Sequence, residues 1–133
     1  MTTRYLLDTN AARAILSQSE RVCMRAASVP LSSLAISSVT AGELHYGLAK
    51  RPQAATLAKL VREFLRYTDI LPWADSVAPH YGTLRAALEA KGVAIAPLDL
   101  MIAAHALALD ATLVSADQAL LRIGGLKIED WSV

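Results

Sequence analysis

The sequence predicts an α/β fold in which a small, mostly parallel central sheet is flanked by helices on both faces. Short apolar segments of strand length alternate with longer helical segments along the chain, and this alternation is typical of parallel sheets. The segment 100–109 is apolar on nearly every face, as expected of a helix in the middle of a fold. The 133 residues are 54 % hydrophobic and 19 % charged, which predicts one domain, residues 1–133, with its own core.

The first half of the chain is predicted to contain three strands, at 4–7, 34–37 and 69–73. Helices are predicted at 11–16 and from Ser19 towards Ser28, and a third helix is expected to begin at Thr40. A fourth helix has Pro52 in its first turn. Its inner face follows the helical apolar period and comprises Leu57, Leu60, Val61, Phe64 and Leu65.

The second half is predicted to open with a long helix that Asp75 caps and Lys91-Gly92 ends. Asp99 is expected to open the apolar helix 100–109. A strand at 112–115, a short helix at 116–121 and a last strand at 127–129 complete the prediction.

Composition excludes several classes of protein. Cys23 is the only cysteine, so an intramolecular disulfide and a Cys-rich zinc site are excluded. The longest clearly apolar run has ten residues, whereas a membrane span needs about 20. Asp8 interrupts the apolar start, so no signal peptide is expected and the predicted location is the cytoplasm. The net charge of +1 does not by itself indicate a nucleic-acid-binding protein.

Four acidic residues occupy strand ends or the helix starts that follow them: Asp8, Glu43, Asp99 and Asp117. In an open parallel sheet, side chains at such positions can share the crevice beyond the carboxyl ends of the strands. Clustered carboxylates repel one another, and a hard divalent cation removes that repulsion. Because the cation also activates water and polarises a phosphodiester, no protein nucleophile is required. The pattern indicates hydrolysis that depends on Mg²⁺ or Mn²⁺.

Each of these acids also fits a local structural role. Asp8 and Asp99 are suitable helix caps, and Asp75 has the same signature without a catalytic assignment. Thr40-x-x-Glu43 matches a capping box, in which the glutamate satisfies a backbone donor. The spacing of the acids alone therefore leaves both interpretations open.

Five stretches carry a family resemblance, in order, along nearly the whole chain: LLDTN at 6–10, ISSVTAGELHYG at 36–47, YGTLRAALE at 81–89, DLMIAAHA at 99–106 and ATLVSAD at 111–117. In these stretches the sequence resembles the PIN-domain family, and within it the VapC-type toxins of type II toxin–antitoxin pairs. The resemblance implies a PIN-like three-layer fold and a metal-dependent endoribonuclease with Mg²⁺ or Mn²⁺ as cofactor.

The resemblance also assigns roles to individual residues. It implies that Asp8 and Asp99 are the principal metal ligands, that Glu43 completes the site and that Asp117 is the fourth acid. Ser115 stands where the family usually has a small hydroxyl residue that orients the site.

The sequence departs from the family pattern beside the fourth acid. Ala116 stands where family members commonly have Asn, and Ala119-Leu120 stands where they often have an aromatic residue. These departures would alter metal affinity or substrate fit. The resemblance further implies a cognate antitoxin protein that covers the site, and a homodimer.

Several polar residues remain as candidates for supporting roles. Asn10 either hydrogen-bonds a ligand or substrate or stabilises a turn, and His105 is expected to be a hydrogen-bonded core histidine. Basic residues near the predicted third and fourth helices are either RNA contacts or a solvated helix face: Lys50, Arg51, Lys59, Arg62 and Arg66.

Two other functions fit parts of the sequence. Asp8-Thr9-Asn10 superficially suggests a phosphatase with an aspartyl nucleophile, but Asn10 cannot donate the proton that the general acid of such an enzyme supplies. A non-catalytic PIN-like binding module is the other alternative. Ala116 favours it, and the retained Asp8, Glu43 and Asp99 disfavour it.

Overall fold

The computed structural model describes residues 3–133. Within this range the chain forms five strands, six α-helices and two short 3₁₀ helices. The strands are β1 Tyr5–Leu7, β2 Leu34–Ser37, β3 Asp69–Leu71, β4 Thr112–Val114 and β5 Ile128–Glu129. The α-helices are α1 Thr9–Leu16, α2 Glu20–Ala27, α3 Ser38–Ala49, α4 Ala55–Tyr67, α5 Ala78–Ala90 and α6 Pro97–Leu109. The 3₁₀ helices are Leu31–Ser33 and Gln118–Arg122.

The strands form one sheet in the order β3-β2-β1-β4-β5, and each neighbouring pair is parallel. The central strand β1 pairs on both sides, with Leu6 opposite Ala35 of β2 and opposite Leu113 of β4. The predicted mostly parallel sheet is confirmed. Because the strands are parallel, their carboxyl ends lie at one edge of the sheet.

Helices cover both faces of the sheet and produce three layers. Successive side chains of a strand point to opposite faces, so Leu6 and Leu7 belong to different cores. Leu6 packs in a cluster with residues of α5 and α6. Leu7 packs in a second cluster with residues of α1, α2, α3 and α4. No helix of residues 3–133 combines the length and the apolar character needed to cross a membrane.

Helix α6 lies in the middle of the fold, as its apolar sequence predicts. Ala103, Ala104 and Ala106 have no exposed surface. The helix begins earlier than expected, because Pro97 occupies its first turn and Ala96 is its N-cap residue. Proline suits this position since it has no N–H to leave unpaired and its φ is already helical. Asp99 therefore lies in the first turn and is not the cap.

Helix α3 also begins earlier than predicted. The Ser37 hydroxyl caps it by accepting a 3.1 Å hydrogen bond from the Val39 N–H. Thr40 is consequently a buried residue inside the helix. The predicted capping box between Thr40 and Glu43 does not form, because Ser37 has already taken the position of the cap.

Other predicted boundaries shift for similar local reasons. Val77, not Asp75, is the N-cap residue of α5, whose first turn contains Pro79. Pro52 precedes α4, which starts at Ala55. The predicted short helix at 116–121 is a 3₁₀ helix, and the last three strands are shorter than predicted. Lys91 and Gly92 end α5 as expected, with Gly92 at a φ of 70°.

The C-terminal segment packs against the start of the sheet. Trp131 is 2 % exposed, and its ring centroid lies 5.3 Å from that of Tyr5. Its Nε1 donates a 2.9 Å hydrogen bond to Glu129 Oε1. Arg25 of α2 forms an ion pair of 2.9 Å with the same Glu129 oxygen. This contact was not predicted, since neither short-range periodicity nor a motif marks it.

Candidate active site

Asp8 lies where the central strand passes into α1. Its backbone N–H donates a 3.1 Å hydrogen bond to the Val114 carbonyl, which continues the ladder between β1 and β4. Its carboxylate Oδ1 accepts a 2.7 Å hydrogen bond from the Ala11 N–H and caps α1. The side chain is buried, at 6 % exposure. The predicted cap is confirmed, and the same geometry holds the carboxylate at the carboxyl end of the sheet.

The pKa of Asp8 is raised above its ordinary value. Burial is the largest cause, and the negative charges of Asp117 and Glu43 raise it further. Hydrogen bonds from the Ala11 N–H and the Ser115 side chain lower it in part. The carboxylate is therefore held in place but is not electrically neutralised.

The half-buried Asp99 in the first turn of α6 is affected by burial and by the other acids in the same way as Asp8. Burial is the main cause of its raised pKa, followed by the charges of Asp117, Asp8 and Glu43. Asp8 and Asp99, which are distant in the sequence, are thus both subject to the negative charges of Glu43 and Asp117. In residues 3–133 the four observed Lys and Arg ion pairs involve other carboxylates, so no Lys or Arg neutralises these four.

Glu43 is held by a residue that the sequence analysis did not single out. Thr9 is 5 % exposed, and its hydroxyl donates a 2.6 Å hydrogen bond to Glu43 Oε1. The same hydroxyl lies 3.4 Å from Thr40 Oγ1. The only signal in the sequence that points to Thr9 is its position directly after Asp8.

Ser115 lies beside Asp8 and Asp117. It is 3 % exposed, its side chain lowers the pKa of Asp8, and its Oγ accepts a 3.1 Å hydrogen bond from the Asp117 N–H. Asp117 is exposed and caps the second 3₁₀ helix, accepting a 3.0 Å hydrogen bond from the Ala119 N–H. Asp117 therefore acts as a cap and also contributes negative charge to the pocket.

His105 joins α6 to the start of α3. It is 1 % exposed, its Nδ1 lies 2.9 Å from Ser37 Oγ, and burial lowers its pKa. The expectation of a hydrogen-bonded core histidine is confirmed. The contact fixes the helix that carries Asp99 relative to the helix that carries Glu43.

The structure places the remaining candidates on several different surfaces. Asn10 is exposed and lines a small cavity of about 60 Å³ together with Ser115, Ala116 and Asp130. Lys50 and Arg51 line a groove that also contains Glu43. That groove does not include the exposed basic residues of α4: Lys59, Arg62 and Arg66. The roles of all these residues as substrate contacts stay predictions.

The donor set fits a hydrated divalent cation. Carboxylate oxygens are the ligands that Mg²⁺ prefers, and it is commonly held by one or two carboxylates while it keeps several waters. In residues 3–133 no three Asp, Glu, His or Cys side chains are arranged to enclose one ion. A partly open group of acids, in which the charges of Asp117 and Glu43 raise the pKa of Asp8 and Asp99, suits the hydrated mode of binding better than a closed cage of protein ligands.

Comparison with known proteins relates this geometry to a family. Residues 5–126 match the family model described as PIN domain. The chain is 31 % identical over 130 residues to the tRNA(fMet)-specific endonuclease VapC of Shigella flexneri, covering 97 % of this chain and 98 % of that protein. It is 37 % identical over 101 residues to Ribonuclease VapC2 of Rickettsia felis, covering 75 % of each.

A solved structure shares the architecture described above. The structure of DNA-bound VapBC from Salmonella typhimurium contains a chain that matches this one with a TM-score of 0.89 and 32 % sequence identity. The match covers 97 % of this chain and 98 % of that chain.

Proposed function

The chain belongs to the PIN-domain family, and from this membership we propose that it is an endoribonuclease that acts as the toxin of a toxin–antitoxin pair. Relatives that match over most of their length are named as an endonuclease and a ribonuclease. The observation that carries the proposal is that the charges of Glu43 and Asp117 act on both Asp8 and Asp99 at the carboxyl end of the sheet. Such a pocket suits the hydrolysis of a phosphodiester by water activated at a metal ion.

Some residues would bind the metal, and others hold the metal-binding side chains in place. Asp8 and Asp99 would be the principal ligands of Mg²⁺ or Mn²⁺, and Glu43 and Asp117 would complete the acidic pocket. Thr9 holds one oxygen of Glu43, and Ser115 accepts a hydrogen bond from the Asp117 N–H and lowers the pKa of Asp8. When bound, the metal would lower the pKa of a coordinated water and offset the charge on the phosphodiester.

The partners follow from the same proposal. The similar Salmonella typhimurium chain comes from a VapBC structure, which supports a cognate antitoxin as partner of this chain. We also propose that the protein forms a homodimer and acts in the cytoplasm, where its RNA substrate is found. Light scattering of the protein with and without its antitoxin would measure both assemblies.

A cleavage assay on total RNA tests the proposed activity. We expect cutting in the presence of Mg²⁺ or Mn²⁺ and none after addition of EDTA, while a small phosphomonoester stays intact. Cutting that persists in EDTA would contradict the metal requirement. Intact RNA under all conditions, with metal binding retained, would instead support a non-catalytic binding module.

A further inference from the structure

Glu43 lies at the border between the acidic pocket and a neighbouring groove. The groove has a volume of about 430 Å³ and lies between α1, α3 and α4. Its floor is mainly apolar, with Leu44, Leu48 and Val61 among the residues that line it. Three basic residues also line this surface, the basic groove: Arg13, Lys50 and Arg51.

The three basic residues of the groove are not neutralised within the described part of the chain. All three are exposed, and the four ion pairs found in residues 3–133 involve other cations. Arg13, Lys50 and Arg51 thus present positive charge immediately beside a pocket of negative charge. This arrangement suits a polyanion, because the groove attracts phosphates that the acidic pocket alone would repel.

An exposed aromatic residue lies on α3, four residues before the C-cap residue Lys50. Tyr46 is 61 % exposed, and Lys50 Nζ lies 4.7 Å from the centroid of its ring. Residues three and four apart on a helix share a face, so Glu43 and Tyr46 of α3 and Lys50 at its C-terminal end follow one another along one side of this helix. Exposed aromatic rings beside basic side chains are the usual elements of single-stranded nucleic-acid recognition, because every base offers a face for stacking.

We propose that the basic groove binds the single-stranded segment of RNA that adjoins the phosphodiester to be cut. Arg13, Lys50 and Arg51 contact its phosphates, and Tyr46 stacks on one of its bases. The apolar floor accommodates the faces of neighbouring bases or sugars. Because Glu43 lines the groove and is hydrogen-bonded to Thr9, the residue next to Asp8, a strand lying in the groove continues directly towards the acidic pocket. This proposal rests on the proposed function, since it names the surface that presents the substrate.

A binding measurement without cleavage tests the groove. A fluorescein-labelled oligouridine would be titrated with the protein in EDTA over a range of salt concentrations. The triple variant Arg13→Gln, Lys50→Gln, Arg51→Gln keeps much of each aliphatic stem and removes three charges. For single strands each phosphate contact contributes about 0.7 to the salt slope, so the slope should become shallower by about 2.

A second triple variant controls for the loss of net charge. Arg21→Gln, Lys91→Gln, Arg122→Gln removes three exposed cations that do not line the basic groove, and its salt slope should match that of the parent. An equal reduction of the salt slope in both triple variants, or an unchanged slope in the groove variant, would overturn the proposal. An unchanged slope in the groove variant would indicate that the basic groove binds a protein partner instead of RNA.

Variants of Tyr46 test the stacking contact separately. Tyr46→Leu should weaken binding on the order of tenfold, because one base–aromatic stack is lost, whereas Tyr46→Phe should bind like the parent. Equal binding by the leucine and phenylalanine variants would overturn the role of Tyr46.

Cleavage of RNA by the parent protein with Mg²⁺ is measured independently of binding. If the parent protein binds RNA through the basic groove but never cleaves it, the proposed nuclease activity is refuted and the role of the groove stands. If the parent cleaves RNA but the groove variant binds RNA as the parent does, the role of the groove is refuted and the nuclease activity stands.

Discussion

The Thr9 hydroxyl donates a 2.6 Å hydrogen bond to Glu43 Oε1, joining the first residue of α1 to a glutamate of α3 that is 34 positions away. Thr9 is buried and Glu43 is half-buried. A hydrogen bond to a charged acceptor contributes about 1.5–3 kcal/mol in such surroundings. The contact fixes one carboxylate oxygen, so that the acid enters the pocket in one orientation.

Replacement of this hydroxyl should impair the site more than the fold. Thr9→Val preserves shape but removes the donor to Glu43, and we expect a rate of RNA cleavage about tenfold lower. Thr9→Ser retains the donor and should cleave at nearly the rate of the parent. Circular dichroism would verify that both variants are folded. Equal rates for the valine and serine variants would contradict the positioning role of Thr9.

Neutralising either of the two proposed principal ligands should abolish cleavage. Asp8→Asn keeps a residue that caps helices as well as aspartate does, and Asp99→Asn removes a charge without removing a cap. We expect each to reduce the rate by at least about 10²-fold, because metal binding and charge stabilisation are lost together. The matched control is Asp75→Asn, an exposed aspartate that does not cap α5. Wild-type rates in both site variants would refute the proposed chemistry.

The metal-free protein should gain stability when Asp99 is neutralised. The raised pKa of Asp99 means that the folded state holds this proton more tightly than the unfolded chain, whose reference value is 3.8. The contribution of Asp99 to stability is therefore favourable at a pH below 3.8, and it is lost as the pH rises through the raised pKa of the folded state. In EDTA at neutral pH, Asp99→Asn should melt a few degrees above the parent protein.

The same comparison can be repeated across pH and with metal. The gap in melting temperature should close as the buffer becomes more acidic, since the parent carboxyl is then protonated. Mg²⁺ or Mn²⁺ should also narrow it by stabilising the parent through binding. A lower melting temperature for Asp99→Asn at neutral pH would show that repulsion among the acids is not significant.

Acid should destabilise the protein through His105. Burial lowers the pKa of this histidine below its ordinary 6.5, so the folded state resists protonation. The contribution of neutral His105 to the free energy of unfolding is fully present when the pH is above the pKa of this residue in the unfolded chain. It decreases as the pH falls from there towards the pKa in the folded state, by up to about 1.4 kcal/mol per pH unit for one group. Urea titrations of the parent and His105→Gln between these limits would isolate the effect. A constant difference in unfolding free energy across this range would argue against it.

The C-terminal segment should contribute strongly to stability. Trp131 is 2 % exposed and packs against Tyr5, so Trp131→Ala should cost about 3–5 kcal/mol. Trp131→Phe loses the hydrogen bond to Glu129 but retains much of the buried surface, and should cost about 1 kcal/mol. Val133 is 77 % exposed, and Val133→Ala should change stability by less than about 0.5 kcal/mol. Chemical denaturation would rank the three, and a small cost for Trp131→Ala would contradict the packing argument.

Much of the architecture was predictable because periodicity is a local property. The apolar strand 5–7 followed by Asp8, and the uniformly apolar segment 100–109, each carry their own signal. The alternation of such elements predicts the parallel sheet. In a parallel sheet the carboxyl ends of the strands lie at one edge, so acids at strand ends and at the helix starts that follow are expected to gather there. Helix starts were less predictable, because several nearby residues compete for one set of backbone donors. At α3 the cap is Ser37 and not Thr40.

The sequence by itself determined which elements form, that α6 is buried, and which acids stand beside strand ends or near helix starts. Only the tertiary structure decided that the charges of Asp8, Glu43 and Asp117 act on Asp99, that Ser115 is buried beside Asp117, and that Thr9 holds Glu43. The physical reason is that a carboxylate before or within a first helical turn looks the same locally whether it only stabilises the helix or also faces other acids. The order of the strands across the sheet, which depends on long-range packing, determines which carboxylates meet.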